Sequence, residues 1–165
     1  MSQGREIRTY EYVNHPYAAV RDALLDDPLE TFRAATHSAT GRAQAVAAAL
    51  KVNIAGIEVG TDVAIRVGAP IEIVDEHTGQ AATRIPIEWE AAERPGLFPL
   101  MRGELAIYPI TATETQLDFG GGYQPPMGVV GEALDAVVGH RIADASIHRF
   151  LSDVAHHLRT TMGSA

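Results

Sequence analysis

Three consecutive segments between residues 83 and 123 alternate between two sets of side chains with a period of two. The mainly apolar set comprises Thr83, Ile85, Ile87, Trp89 and Ala91, then Met101, Gly103, Leu105 and Ile107, then Leu117, Phe119 and Tyr123. Successive side chains of a β-strand point to opposite faces, so this pattern predicts three strands with one apolar and one solvated face. Turn-forming sequences at residues 94–96 and 111–113 separate the segments, which favours an antiparallel sheet.

Further strands are predicted earlier in the chain, at residues 7–13, 46–59, 63–67 and 71–74. The second of these strands has a predicted irregularity at Gly56, and its alanines favour helix by propensity although its periodicity indicates a strand. Turns are predicted at residues 60–62 and 77–79, where glycine is combined with polar residues.

Two short helices are predicted after the first strand, at residues 17–25 and 29–35, with Asn14 as the N-cap of the first. A long helix is predicted from residue 128 to residue 161. The sequence therefore predicts an α+β domain over residues 1–165, in which a curved antiparallel sheet of about six to seven strands wraps around the C-terminal helix.

The predicted long helix has two apolar faces. Its first half presents Val130, Leu134, Val137, Val138, Ile142 and Ala145. Its second half presents Ile147, Phe150, Leu151, Val154 and Leu158, roughly half a turn away at about 100° per residue. One interpretation is a helix that lines a cavity with one half and closes it with the other. The alternative is a helix that kinks or wraps, so that its buried side changes between residues 143 and 146.

Composition excludes several classes of site. The chain has no cysteine, so disulfides, thiolate metal sites and cysteine nucleophiles are excluded. Its net charge is −8, from 13 basic and 21 acidic residues, which disfavours binding to nucleic acid through the overall field. No run approaches the roughly 20 apolar residues of a membrane span, and no signal peptide is recognisable, so a cytoplasmic location is expected.

Three polar residues of the long helix, His140, Asp144 and His148, are spaced four apart and share a face. The two imidazoles lie about 12 Å apart along the helix axis, which is too far for one metal ion. We therefore predict no metal site and no catalytic role for them, and interpret them as a solvated column.

Other candidate motifs also lack the neighbouring residues that their usual chemistry requires. Residues 120–122 are three glycines, but no Gly-Lys-Ser/Thr follows them. In place of a phosphate loop, they are predicted to end a strand where the sheet bends sharply or the helix crosses close by. Ser38, Ser146 and Ser152 lie in no nucleophile elbow. The catalytic residues, if any, stay unknown at this point.

The chain resembles the START-like superfamily, also called SRPBCC, which includes the birch pollen allergen and polyketide cyclases; the resemblance is to a bacterial branch of it. It extends over nearly the whole chain and is carried by residues 85–91, 96–101, 105–109, 113–117 and 123–128, then by Gly131, Asp135, His140, Arg141, Phe150 and Leu151. The resemblance implies a helix-grip fold. It does not choose among the superfamily's activities, because one fold hosts many functions.

The resemblance and the strand pattern together give an expected function. A pocket of about 300–1,000 Å³ is predicted between the sheet and the C-terminal helix, for a small hydrophobic or amphipathic ligand such as a lipid, a polyketide or another ringed metabolite. The predicted ligand-binding residues are Trp89, Leu105, Ile107, Leu117, Phe119, Tyr123, Leu134 and Val138. The alternatives are a polyketide cyclase/aromatase-type enzyme and a protein-interaction domain. No cofactor is predicted, and the expected assembly is a monomer or homodimer.

Overall fold

The computed structural model describes residues 5–28, 31–32, 41–42, 45–54, 57–74, 76–77, 79–91, 100–124 and 136–162. Its strands are β1 (Arg5–Val13), β2 (Gly41–Arg42), β3 (Ala45–Ile54), β4 (Ile57–Val67), β5 (Ile71–Val74), β6 (Ala81–Ala91), β7 (Leu100–Thr111) and β8 (Glu114–Gln124). Its helices are α1 (Tyr17–Asp26) and α2 (Ala136–Thr161).

All the strands join one antiparallel sheet in the order β1-β8-β7-β6-β4-β3-β2, and β5 pairs with β6 beside β4. The long strand β6 connects these parts, because its first half pairs with β5, its second half with β4, and its other edge with β7. This confirms the predicted α+β helix-grip architecture. Among the described residues, the sheet has eight strands, against about six to seven predicted.

The predicted single strand over residues 46–59 is wrong in one respect. The chain reverses between Ile54 and Ile57, which pair with each other, so the segment contributes to two antiparallel strands. The turn predicted at residues 60–62 is also wrong, because these residues lie inside β4 and pair with residues 49–51 of β3. Two residues separate the paired Ile54 and Ile57, so the buried positions change from even numbers, Leu50 and Val52, to odd numbers, Val63 and Ile65. The irregularity predicted at Gly56 lies outside the described residues.

Helix α1 confirms the helix predicted at residues 17–25, and it ends one residue later than predicted, at Asp26. Its N-cap is Pro16, with no side-chain cap hydrogen bond, so the prediction of Asn14 as N-cap is wrong. Of the second predicted short helix, Thr31 and Phe32 are described and are helical, and the Thr31 amide donates to the carbonyl of Asp27 at 3.0 Å. Residues 29–30 and 33–35 lie outside the described residues.

Helix α2 spans 26 residues, about 39 Å at 1.5 Å per residue. Its buried residues form one continuous stripe: Ile142, Ala143, Ser146, Ile147, Phe150, Leu151, Val154, Ala155 and Leu158. The first predicted face depends on Val130, Leu134, Val137 and Val138, whose side chains lie outside those that the structure describes, so the change of face between residues 143 and 146 stays a prediction. The small residues Ala143 and Ser146 are part of this buried stripe. The Ser146 hydroxyl donates to the Ile142 carbonyl at 2.6 Å.

The sheet curls around α2. The helix packs against both β1 and β3, which lie near opposite ends of the strand order, and also contacts β8. Contact with both ends requires a concave inner face. On the β1 side, Thr9 Oγ1 and His148 Nδ1 are hydrogen-bonded at 3.0 Å, and Arg159 forms an ion pair with Glu11 at 3.5 Å.

The outer face of the sheet carries the charged side chains. Arg102 pairs with Glu88 at 2.9 Å, and Arg84 lies 3.9 Å from Glu104. These pairs are exposed to solvent, so each contributes at most about 1 kcal/mol to stability. On the same face, the Tyr108 hydroxyl donates to Asp118 at 3.4 Å, and partial burial together with that carboxylate raises the pKa of Tyr108.

Candidate functional site

The inner face of the sheet brings together most of the residues predicted to bind a ligand. Trp89, Leu105, Ile107, Leu117 and Phe119 are fully buried. Their strands are paired so that Leu105 lies opposite Phe119, and Ile107 lies opposite Leu117. The period-two pattern therefore places all five side chains on the concave face beneath α2.

The other predicted ligand-binding residues have different outcomes. Tyr123 is buried on the same face, opposite Met101. Leu134 lies outside the described residues. Val138 belongs to α2, but its side chain is not among those the structure describes.

An aromatic cluster occupies this face. The Trp89 ring stacks on Phe119 with 5.5 Å between centroids and lies 5.1 Å from Phe150 of α2. Phe150 in turn lies 5.5 Å from Phe32. Phe150 and Phe32 are not among the predicted ligand-binding residues. Phe150 does lie on a predicted apolar helix face, whereas Phe32 belongs to a helical segment too short to show which side is buried.

The indole nitrogen of Trp89 is an unusual feature of this interior. Trp89 is fully buried, and its Nε1 has no hydrogen-bond partner among the described residues. Other buried polar side chains nearby are bonded within the protein: Thr83 to the Tyr17 hydroxyl at 2.7 Å, and Thr115 to the His15 carbonyl at 2.7 Å. A buried donor without an acceptor is rare in native structures and needs a physical reason.

A second polar feature lies in the same cross-strand row. Trp89 pairs with Met101, which pairs with Tyr123, and the Tyr123 hydroxyl is hydrogen-bonded to His140 Nδ1 at 3.2 Å. His140 is half-buried and its ring lies 5.8 Å from the Tyr123 ring. The prediction of a solvated column is therefore wrong for His140, whereas Asp144 and His148 of the same column are exposed. In the described part of the chain, no three His, Asp or Glu side chains are grouped as metal ligands.

The three consecutive glycines lie inside β8 and do not end it. Gly121 faces Gly103 of β7, and a Cβ at Gly121 would lie 2.4 Å from the Arg102 carbonyl oxygen. A Cβ at Gly103 would lie 2.9 Å from the Phe119 ring. The glycines thus permit a close approach of β7 to β8 and let Phe119 lie over the inner face.

The described residues form several open hollows on the outer face, and two of these have volumes of about 430 and 480 Å³. Both are lined by Arg8, Arg84, Ala106 and Asp118. Their charged lining suits solvent better than an apolar ligand. The pocket predicted from the sequence belongs to the opposite, inner face, and it stays a prediction.

No protein-family model and no curated protein sequence matches the chain. Solved structures do match it over nearly its whole length. The Zhui aromatase/cyclase from Streptomyces sp. R1128 is 16% identical, with 98% of this chain and 99% of that chain covered and a TM-score of 0.54. A START superfamily protein from Mycobacterium smegmatis is 11% identical, with 96% and 99% covered and a TM-score of 0.54.

A third solved structure, human StAR-related lipid transfer protein 5, is 13% identical and has a TM-score of 0.50. The match covers 94% of this chain and 76% of that protein. The chain has the START-like helix-grip fold. The START-like resemblance inferred from the sequence is thereby confirmed for the fold.

Proposed function

We propose that the protein binds a small hydrophobic or amphipathic molecule, such as a lipid, a polyketide or another ringed metabolite, in a chamber between the inner face of the sheet and α2. The observation that carries the proposal is the segregation of the two faces of the sheet. The inner face gathers Trp89, Leu105, Ile107, Leu117 and Phe119, whereas the outer face carries the ion pairs.

The START-like fold supports this location for a ligand. A concave sheet that curls around one helix encloses its apolar face, and ligands bind preferentially in concave apolar sites with a few polar groups. The Trp89 indole and the Tyr123–His140 pair are such polar groups. Two similar structures bear the names of a lipid transfer protein and an aromatase/cyclase, and both names fit ligands of this class.

The remaining expectations accompany this proposal. The net charge of −8 disfavours a nucleic-acid partner, and a monomer or homodimer in the cytoplasm remains our prediction. Among the described residues, no helix is both long and apolar enough to cross a membrane.

We expect the neutral probe N-phenyl-1-naphthylamine to bind saturably at one site. Trp89 is the only tryptophan in the chain, so its fluorescence reports on the inner face alone. The expected result is a rise in probe emission, with a matching loss of tryptophan emission, at micromolar to submillimolar concentrations. A linear, non-saturating response would contradict the proposed function.

A matched pair of variants on β7 distinguishes the two faces of the sheet. Ala106 lines both outer hollows, and its neighbour Leu105 is buried on the inner face. Ala106→Phe partly fills the outer hollows and is expected to leave probe affinity unchanged. Leu105→Ala alters the inner face and is expected to change the affinity severalfold. The reverse pattern would place the probe outside the sheet and overturn the proposed chamber.

The second candidate function is a polyketide cyclase/aromatase-type enzyme that uses the same chamber. The observation that favours it is the 3.2 Å contact between the buried Tyr123 hydroxyl and His140 Nδ1. A phenol and an imidazole in contact form a pair able to hand a proton to or from a bound carbonyl compound. Among the described inner-face residues, this pair is the best placed for general acid–base chemistry.

The variant Tyr123→Phe separates binding from catalysis. Because the hydroxyl is bonded to His140, its removal is expected to change the affinity for N-phenyl-1-naphthylamine by no more than about threefold. Tyr12→Phe, on the exposed outer face, is the control. Ring formation from a linear poly-β-ketone thioester by the wild type, reduced about 100-fold or more by Tyr123→Phe alone, would favour the enzyme over the binding protein.

A further inference from the structure

The unpartnered indole N–H of Trp89 specifies the chemistry of the ligand more narrowly than an apolar chamber does. We infer that the ligand is a neutral, largely apolar molecule with a carbonyl or ether oxygen that accepts a hydrogen bond from Trp89 Nε1. This inference rests on the proposed binding function and adds the class of ligand to it.

The first step is that the protein's described part offers this donor no acceptor. Trp89 lies between Ile65 and Met101 in the sheet and contacts the rings of Phe119 and Phe150, and none of these side chains carries an oxygen. The indole N–H only donates hydrogen bonds, so it needs an acceptor and has no use for a second donor.

The second step is that the other buried hydroxyls near the sheet and α2 are already used. Thr83 is bonded to Tyr17, Thr115 donates to the His15 carbonyl, and Ser146 donates to the Ile142 carbonyl. Tyr123 is bonded to His140. The indole N–H thus differs from these groups, because they have partners within the protein and it does not.

The third step concerns charge. Among the described residues, no lysine or arginine is buried, so the described interior holds no cation from these side chains to balance a carboxylate or a phosphate. A buried anion without a counter-ion is strongly disfavoured, whereas a neutral carbonyl or ether oxygen needs only one donor. A ketone, ester or ether oxygen on an apolar frame therefore fits the described surroundings of the Trp89 indole better than a carboxylate does.

The test compares two probes of nearly the same shape, fluorenone and fluorene, which differ in one carbonyl oxygen. Binding is followed in ¹H–¹⁵N spectra, where the only tryptophan gives a single indole resonance. We expect fluorenone to bind about threefold to tenfold more tightly than fluorene, the range of one net hydrogen bond. We also expect fluorenone, and not fluorene, to move the indole proton resonance downfield.

Two variants remove the donor. Trp89→Phe keeps an aromatic ring, and biosynthetic replacement of Trp89 by β-(3-benzothienyl)alanine keeps the bicyclic shape without an N–H. Both are expected to bind the two probes with equal affinity. The benzothienyl protein keeps the test decisive if the phenylalanine variant folds poorly.

The outcomes separate the inference from the proposed function. If both probes bind the wild type equally and the indole resonance responds to neither, or responds equally to both, the inference is overturned and the binding function stands. The same holds if the preference for fluorenone persists in the benzothienyl protein. If neither probe binds, the proposed function fails and the inference fails with it.

Discussion

Replacing Gly121 with alanine is expected to destabilise the protein by about 3 kcal/mol or more, at the upper end of the cost of overpacking. A Cβ at this position would lie 2.4 Å from the Arg102 carbonyl oxygen and 2.6 Å from the Gly103 Cα. Both obstacles are backbone atoms of β7. They have no freedom to move aside, because β7 is also held by its pairing with β6.

The neighbouring glycine of the same strand provides the control. A Cβ at Gly120 would meet only the side chain of Arg8, at 3.3 Å, and that side chain is largely exposed and free to turn away. Gly120→Ala is therefore expected to change the free energy of unfolding by less than about 1 kcal/mol. Urea unfolding of both variants measures the difference, and similar losses would show that β7 and β8 do not approach as closely as described.

This contrast shows what the sequence reveals about the sheet and what it does not. The alternation in β6, β7 and β8 predicts the inner and outer faces correctly, because each strand has one apolar side. It does not predict that Gly103 lies opposite Gly121, because that pairing depends on the register between two strands. The reversal between Ile54 and Ile57 does shift the apolar pattern by one residue, but such a shift alone does not distinguish a turn between two strands from a bulge within one strand.

The long helix shows a different limit of the sequence. Large apolar residues define its predicted faces, whereas the buried stripe that the structure describes also includes Ala143 and Ser146, which contribute little to an apolar pattern. Packing of this stripe against the sheet fixes the rotation of α2 and brings His140 next to Tyr123. The contact joins residues on separate elements, so spacing along the helix could not predict it. The fold was thus predictable from strand pattern and resemblance, whereas the polar groups of the site required the packing.

Replacing Trp89 with alanine is expected to lower the free energy of unfolding by about 3–5 kcal/mol, the cost of deleting a large buried aromatic side chain. The reason is the extent of its contact: Trp89 is fully buried, stacks on Phe119 and touches Phe150 of α2. The truncation therefore removes packing between the sheet and the helix at the centre of the inner face. Thermal or urea unfolding of the variant measures the loss.

Trp89→Phe is the matched control for this loss. Phenylalanine keeps one ring for the contacts with Phe119 and Phe150 and removes the unpartnered N–H, whose burial is itself unfavourable. Its cost is therefore expected to be well below that of alanine, about 1–2 kcal/mol. A loss under about 1 kcal/mol for Trp89→Ala would contradict the packing argument. It would mean that the contacts of the indole with Phe119 and Phe150 contribute little to the packing of α2 on the sheet.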